Sequence, residues 1–501
     1  MRQKVQKLLQ AWPLWAVLAA QTVLTVPWLW RTAPFTDEAL YLTAGHLEWS
    51  HWLHHTSLPA YAFSGAPVFY PPLGAAADST GGLAAARGLS LAFMLGATAM
   101  VYLAGARLFG RWAGLVASGL FAVSGLVVHY GAFATYDALA LFFLTLGMWA
   151  AARVHDGGFR WIVGCAAALA VSNAAKYATL AWDPVVVGIV VLHGWDKGMG
   201  SALRRGCALV LGVAALEAGL LAVAGPHYAR AVIITTVFRS VRWVTFSSSA
   251  SVLWRAFAMT GVLVLPAALG PIMSVRRGNP PEFTCLLGVL VLAALIAPVD
   301  QAHIRQLSSL DKNVGFGLPF AVLAAGYAIV AGIDWLGERF AAGRVAGSVA
   351  AVALIILALV AGREQGVQFR GPSTAVARQI ISAITHGYRR GTYIATDGAP
   401  WMEKYDVPQY YLPTIPGRAW LGIFDPSRVQ RARFTTRICT GRISVVILRR
   451  FQDSYHHAYD YQIREMMEDS HRYRLAVAVR QGNYATQVWG LVPTAGRVSC
   501  G

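Results

Sequence analysis

Residues 345–362 read VAGSVAAVALIILALVAG, eighteen positions without a charge, closed by Arg344 before and Arg363 after. A helix rises about 1.5 Å per residue, so this run spans about 27 Å, close to the hydrocarbon thickness of a bilayer. A helix apolar on every face belongs in a large core or a membrane. Working outward, comparable blocks recur near 11–30, 88–106, 112–130, 137–153, 161–180, 184–201, 206–225, 252–272, 283–299 and 313–333. Together they predict about eleven spans. Composition agrees, with 13% charged and 56% hydrophobic residues over 501 positions, against about 25% and 45–50% in ordinary globular domains. The fold class expected is mainly α, a polytopic membrane helical bundle. Disorder and a disulfide-stapled miniprotein are excluded.

The loops set the orientation. Arg2, Lys4 and Lys7 precede the first block. Arg107 and Arg111, Arg153 and Arg160, Lys197 with Arg204 and Arg205, Arg276 and Arg277, and Arg339 and Arg344 mark each return to that side. The positive-inside rule makes it the cytoplasm, and an odd number of spans leaves the C-terminus outside. The first block has the length of an anchor and lacks a small-residue cleavage site. A bacterial plasma membrane fits. Much of the net charge of +18 is this topology signal plus a basic tail, so no nucleic-acid partner is implied.

Two domains are expected: a transmembrane module over 1–362, including a first outer loop at 31–87, and an extracytoplasmic soluble α/β domain over 363–501. In the latter, Ser373–Tyr388 has the pattern of an amphipathic helix. Ile443–Leu448, Tyr473–Val479 and Thr486–Leu491 have the pattern of strands. Cys165, Cys207 and Cys285 fall within spans. Cys439 and Cys500 share the outer domain, where a disulfide is permitted. No GxGxxG, P-loop or HExxH occurs.

The chemistry-bearing residues gather on the outer face. Thr36-Asp37-Glu38-Ala39-Leu40-Tyr41 opens a helix just after the first span, its acids suited to the helix dipole. Thr135-Tyr136-Asp137-Ala138 places a second acid at the outer end of a later span, and paired acids suit a general base, a metal site or a proton relay. Lys176, then Arg230, Arg239 and Arg242, then His303, Arg305 and Lys312 are cations (or, for His303, a potential cation) where the positive-inside rule does not place them. Such side chains at headgroup level bind phosphate. Glu217, midway in a span, is an acid outside this set. His46, His51, His54 and His55 invite a zinc site, but only His51 with His54 or His55 shares a helical face.

This combination resembles the GT-C superfamily of polytopic glycosyltransferases, in particular its protein O-mannosyltransferase and lipid A aminoarabinose transferase branch. Asp37-Glu38 is similar to the family's first-loop acidic motif. Tyr70-Pro71-Pro72-Leu73 is similar to a later segment of that loop, and Ala85-Ala86-Arg87-Gly88-Leu89 to the start of the next helix. Tyr136-Asp137-Ala138 resembles the second acidic position, Ala175-Lys176-Tyr177 a lysine turn, and Ser309–Gly317 a segment of bacterial members. No cation precedes Pro71 and no His-Pro-Pro occurs, so neither subfamily's substrate carries over.

The resemblance implies transfer of a sugar from a polyprenyl-phosphate donor to a hydroxyl of a glycan, lipid or protein, with inversion, mannose and arabinose heading the list. Asp37 and Asp137 would be catalytic. Glu38, Tyr41, Tyr70, Arg87, Lys176, Arg239, Arg242, His303 and Lys312 would bind substrate. The residues themselves predict no cofactor and no metal, the alternative being a divalent metal held by Asp37 and Asp137, as in some members of that superfamily. The competing expectation is a transporter or lipid-linked sugar flippase. That would place charges at the bilayer midplane in two related halves, and here they crowd one face.

Overall fold

The computed structural model describes residues 2–34, 36–56, 65–66, 68–236, 247–307, 309–368, 373–396, 419–422, 428–449, 463–469, 471–481 and 484–492. They divide into two compact units, Met1–Leu29 with Ala44–Val367, and Trp30–Thr43 with Gln368–Gly501.

Eight helices among the described residues are long and apolar enough to cross a membrane: Trp12–Arg31, Tyr70–Phe109, Tyr136–Asp156, Met199–Pro226, Ser249–Arg276, Pro281–His303, Leu310–Arg339 and Gly343–Gln365. Arg111–Val123 and Gly125–Ala132, bent by 62°, make a ninth if they count as one span. The remaining two of the eleven expected blocks are shorter apolar helices, Phe159–Ala175 and Tyr177–His193. Backbone geometry cuts the blocks that composition joins. Lys176 is extended and ends the helix before it. Ser124 is extended between the bent pair. The helix Tyr70–Phe109 starts well before the expected 88 and breaks at Gly81 and Gly82, where Gly82 takes a φ of 66°.

The membrane unit is a multi-pass bundle packed through small residues. Lipid supplies no hydrophobic drive between helices, so close backbone approach and dispersion hold them together. A Cβ on Gly105 would lie 2.7 Å from the Gly114 Cα, and one on Gly114 2.6 Å from the Tyr102 carbonyl oxygen. One on Gly326 would overlap the Ala113 carbonyl. Three helices, Tyr70–Phe109, Arg111–Val123 and Leu318–Arg339, therefore meet at glycine.

The second unit carries a five-stranded mixed sheet of order β2-β1-β3-β5-β4. Its strands are β1 Tyr393–Thr396, β2 Trp420–Gly422, β3 Ile443–Arg449, β4 Tyr473–Gln481 and β5 Tyr484–Leu491. β1 runs parallel to β2 and β3, and β5 antiparallel to β3 and β4. Alternation along β3 splits its side chains between two cores. Val445 and Ile447 pack with Ile384 of helix Thr374–Gly387, whereas Val446 and Leu448 pack with Phe434 and Ile438 of helix Arg428–Cys439. The expected helix and three strands are present, and Ser373 caps the helix by accepting from the Val376 amide. Cys439 is disulfide-bonded, whereas Cys165, Cys207 and Cys285 are free. Cys500 lies outside the described residues.

Gly326→Val tests the close crossing. Overpacking of this kind costs about 1–3 kcal/mol, so the variant should unfold at a lower temperature in detergent. A variant as stable as the parent would show that the helices have room to spare.

Candidate functional site

Thr135 is extended and starts the helix Tyr136–Gly157, which puts Asp137 in its first turn. The helix Phe159–Ala175 ends where Lys176 turns to extended backbone, its amide still donating to the Ser172 carbonyl. These two terminations bring the side chains together. Lys176 Nζ lies 2.8 Å from Asp137 Oδ1, and the two side chains are 3% and 2% exposed.

Each buried ion costs several kcal/mol in lost hydration, recovered only when its remaining hydrogen-bonding groups are also satisfied. The surroundings meet that demand. Lys176 Nζ also donates to the Lys312 carbonyl at 2.8 Å and stands 4.6 Å from the Phe316 ring centre. Asp137 further accepts from Thr135 and feels the charge of Lys312.

Three segments hold the pair in place. The Tyr130 hydroxyl donates to the Asp311 carbonyl at 2.7 Å, fixing the short helix Leu310–Val314. His129 Nε2 lies 3.8 Å from Asp311 Oδ2. Gly315 leaves no room for a Cβ beside the Tyr130 hydroxyl. From the segment before helix Tyr70–Phe109, the Ala66 amide donates to the Ala174 carbonyl at 2.7 Å, and a Cβ on Gly65 would overlap the Ala175 carbonyl. Sequence reading missed Tyr130 and Phe316. Each looks like an ordinary apolar-span aromatic, and what sets Tyr130 apart is a hydrogen bond to Asp311, 181 residues away.

The other expected residues fall into distinct places. Asp37 is half-buried in the first turn of helix Thr36–His54, with the Tyr41 hydroxyl 3.5 Å from its Oδ2. Glu38 and Tyr41 are buried. Tyr70 is fully buried, its hydroxyl 3.2 Å from Ser90 Oγ. Arg87 is also fully buried, donates to the Leu29 carbonyl at 3.1 Å and covers the Phe133 ring. His303 is exposed. Arg239 and Arg242 lie outside the described residues. Among the described residues no group of three or more His, Cys, Asp or Glu is placed to hold a metal ion. Of the loop histidines, His46 pairs with Asp78 at 2.8 Å, and His51 bonds the Thr56 carbonyl.

Glu48, on the same loop helix, is buried with one unpartnered carboxyl oxygen among the described residues. Burial pushes its carboxyl above the ordinary value of 4.5, and His51 pulls it partly back.

No family model matches the sequence, and no curated protein does. Solved structures do. The crystal structure of ArnT from Cupriavidus metallidurans bound to undecaprenyl phosphate aligns over 95% of this chain and 97% of that one, with TM-score 0.57 and 14% identity. The Archaeoglobus fulgidus oligosaccharyltransferase tethered to an acceptor peptide aligns over 97% of this chain and 74% of that one, with TM-score 0.58 and 12% identity. The chain shares the fold of these two proteins, and at such identity the likeness reaches the architecture alone.

Two predictions follow from this geometry. Lys176→Met strands a buried carboxylate and should cost about 3–5 kcal/mol of stability. Adding Asp137→Asn should recover most of it, and a double variant no better than the single would show that the two do not pair. Glu48 is the pH-sensitive case. The folded state holds its proton more tightly than the unfolded chain, so its contribution to stability is full below the ordinary value and lost as pH rises through the raised one. Glu48→Gln should gain thermal stability over the parent as pH is raised from about 4 to about 8. A constant difference across that range would contradict the assignment.

Proposed function

We propose that this protein is an integral-membrane glycosyltransferase that moves one sugar from a polyprenyl phosphate to an acceptor hydroxyl, with inversion at the anomeric carbon. The observation that carries the reading is the buried Asp137–Lys176 pair with Lys312 beside it, set in a fold shared with an enzyme solved with undecaprenyl phosphate bound.

The chemistry divides between acid and cation. A hydroxyl is a weak nucleophile, so a carboxylate must take its proton as attack proceeds. Asp37 fills that role in this reading, with Glu38 and Tyr41 holding its helix and the sugar. A lipid phosphate is already a good leaving group and needs cations for its growing charge rather than a proton. Lys176, Lys312, Arg239 and Arg242 supply them, with His303 at the margin. Asp137 keeps the Lys176 ammonium in place and orients the acceptor. Tyr70 and Arg87 serve by positioning the first loop and the second span. Residues 1–362 form the catalytic module, and 363–501 an extracytoplasmic α/β domain. The enzyme sits in a bacterial plasma membrane with its N-terminus inside and its site outside. Mannose and arabinose head the candidate sugars, and a glycan, lipid or protein of the envelope is the acceptor.

Asp37→Asn is the direct test. A general base contributes about 10²–10⁴-fold, so transfer should fall by at least a hundredfold while binding of the lipid donor stays within a few-fold. An Asn variant that consumes donor at the parental rate would remove Asp37 from the mechanism.

A further inference from the structure

The end of helix Tyr136–Gly157 away from Asp137 carries cations that the transfer chemistry does not use. The Arg153 guanidinium stands 5.6 Å from the Trp149 ring centre and 5.0 Å from that of Trp161. Arg160, in the first turn of helix Phe159–Ala175, stands 5.8 Å from the same Trp161 ring. One indole thus contacts two guanidinium groups. Neither makes an ion pair among the described residues, and Arg153 Nε is buried without a hydrogen-bond partner there. An aromatic face attracts a cation but does not neutralise it, and two like charges held on one ring repel.

Further cations are anchored at the next turn. Asp156 lies three positions after Arg153, on the neighbouring patch of the helix surface, and is ion-paired with Arg107. His155 Nε2 donates to the Val190 carbonyl at 2.8 Å, while its Nδ1 accepts from Arg205 at 2.6 Å. Lys197 Nζ donates to the His155 carbonyl at 3.2 Å. Residues 153–160 and 193–205 together hold five Lys or Arg against two acids, and Arg107 already engages one of those acids. The positive-inside rule accounts for cations at this end in general. It does not account for two guanidinium groups on one indole with no acid between them.

The same helices turn apolar beside these charges. Phe159 and Val163 are 72% and 51% exposed, and Leu203, on the adjoining helix Met199–Thr236, is 44% exposed. Guanidinium forks match phosphate oxygens, and a basic pocket flanked by exposed apolar helix fits a lipid with a charged head and acyl tails. A soluble anion would gain nothing from the apolar flank. A zwitterionic headgroup brings its own cation and leaves the positive excess in place.

We infer that Arg153 and Arg160, with Lys197 and Arg205 at the next turn, form a site for the headgroup of an anionic phospholipid. Trp161 keeps both guanidinium groups in place, and the acyl chains lie along Phe159, Val163 and Leu203. The Asp137–Lys176 pair stands at the other end of helix Tyr136–Gly157, so this site is separate from the one proposed for the lipid-linked sugar and rests on no transfer activity.

Native mass spectrometry of the delipidated full-length protein in neutral detergent tests the site, with phosphatidylglycerol, phosphatidylcholine and inorganic phosphate as probes. Phosphatidylglycerol should be retained as a one-to-one complex and raise the thermal midpoint, as a ligand of the folded state does, and phosphatidylcholine should do neither. Losing charge-assisted hydrogen bonds should weaken phosphatidylglycerol binding by about tenfold or more in the Arg153→Gln, Arg160→Gln double variant. Arg160→Gln alone, at an exposed position, keeps the test open should the double variant not fold, and it too should weaken retention. Arg276→Gln, a cation elsewhere on the membrane unit, should bind as the parent does. Equal retention of the two lipids, or an equal loss in Arg276→Gln, would overturn the inference, because the lipid would then answer to overall charge alone. So would the same thermal shift from inorganic phosphate, because the acyl chains would then play no part.

Discussion

One buried ion pair organises one end of the membrane unit. Lys176 and Asp137 meet at 2.8 Å with almost no exposure to solvent, so each depends on the other and on the groups that complete its shell. The Lys312 carbonyl, the Phe316 ring and the Thr135 side chain supply that shell. They come from two separate stretches of chain, Thr135 before one helix and Lys312 with Phe316 in the other. Tyr130 pins the Asp311 carbonyl, and the segment before helix Tyr70–Phe109 hangs from the Ala174 carbonyl. Loosening any of these would move the ammonium, so the geometry around Lys176 is strongly determined.

That determination starts with chain terminations. Lys176 stops one helix and Thr135 precedes another. Elsewhere the bundle relies on glycines that let backbones touch, at Gly105, Gly114 and Gly326. Rigid crossings and precise helix ends play complementary parts. The first fixes where the helices lie, and the second fixes which side chains emerge at their ends. Asn173 and Thr179 extend the same logic to the turn itself, tying it to Asp183.

Much of this was legible in the sequence. Apolar blocks and flanking arginines gave the polytopic bundle, because lipid solvation and topology act on composition directly. Asp137 and Lys176 stood out because charge at a span end is expensive. The number of crossings was less readable, since Ser124 and Lys176 interrupt blocks that hydropathy alone joins. β1 and β2, four and three residues long, are too short to show a period. Tyr130 and Asn173 were invisible because nothing local in a sequence announces a partner in another helix.

The central claim is that the outer-face acids and cations serve sugar transfer from a lipid phosphate. The most direct measurement is incubation of the purified protein with a panel of polyprenyl-phosphate sugars, following release of the free polyprenyl phosphate. The account predicts that at least one donor is consumed, with sugar appearing on a hydroxyl acceptor. If every donor stays intact while labelled lipid-linked sugar crosses the bilayer of reconstituted vesicles, the protein moves its substrate rather than cleaving it, and the account is contradicted.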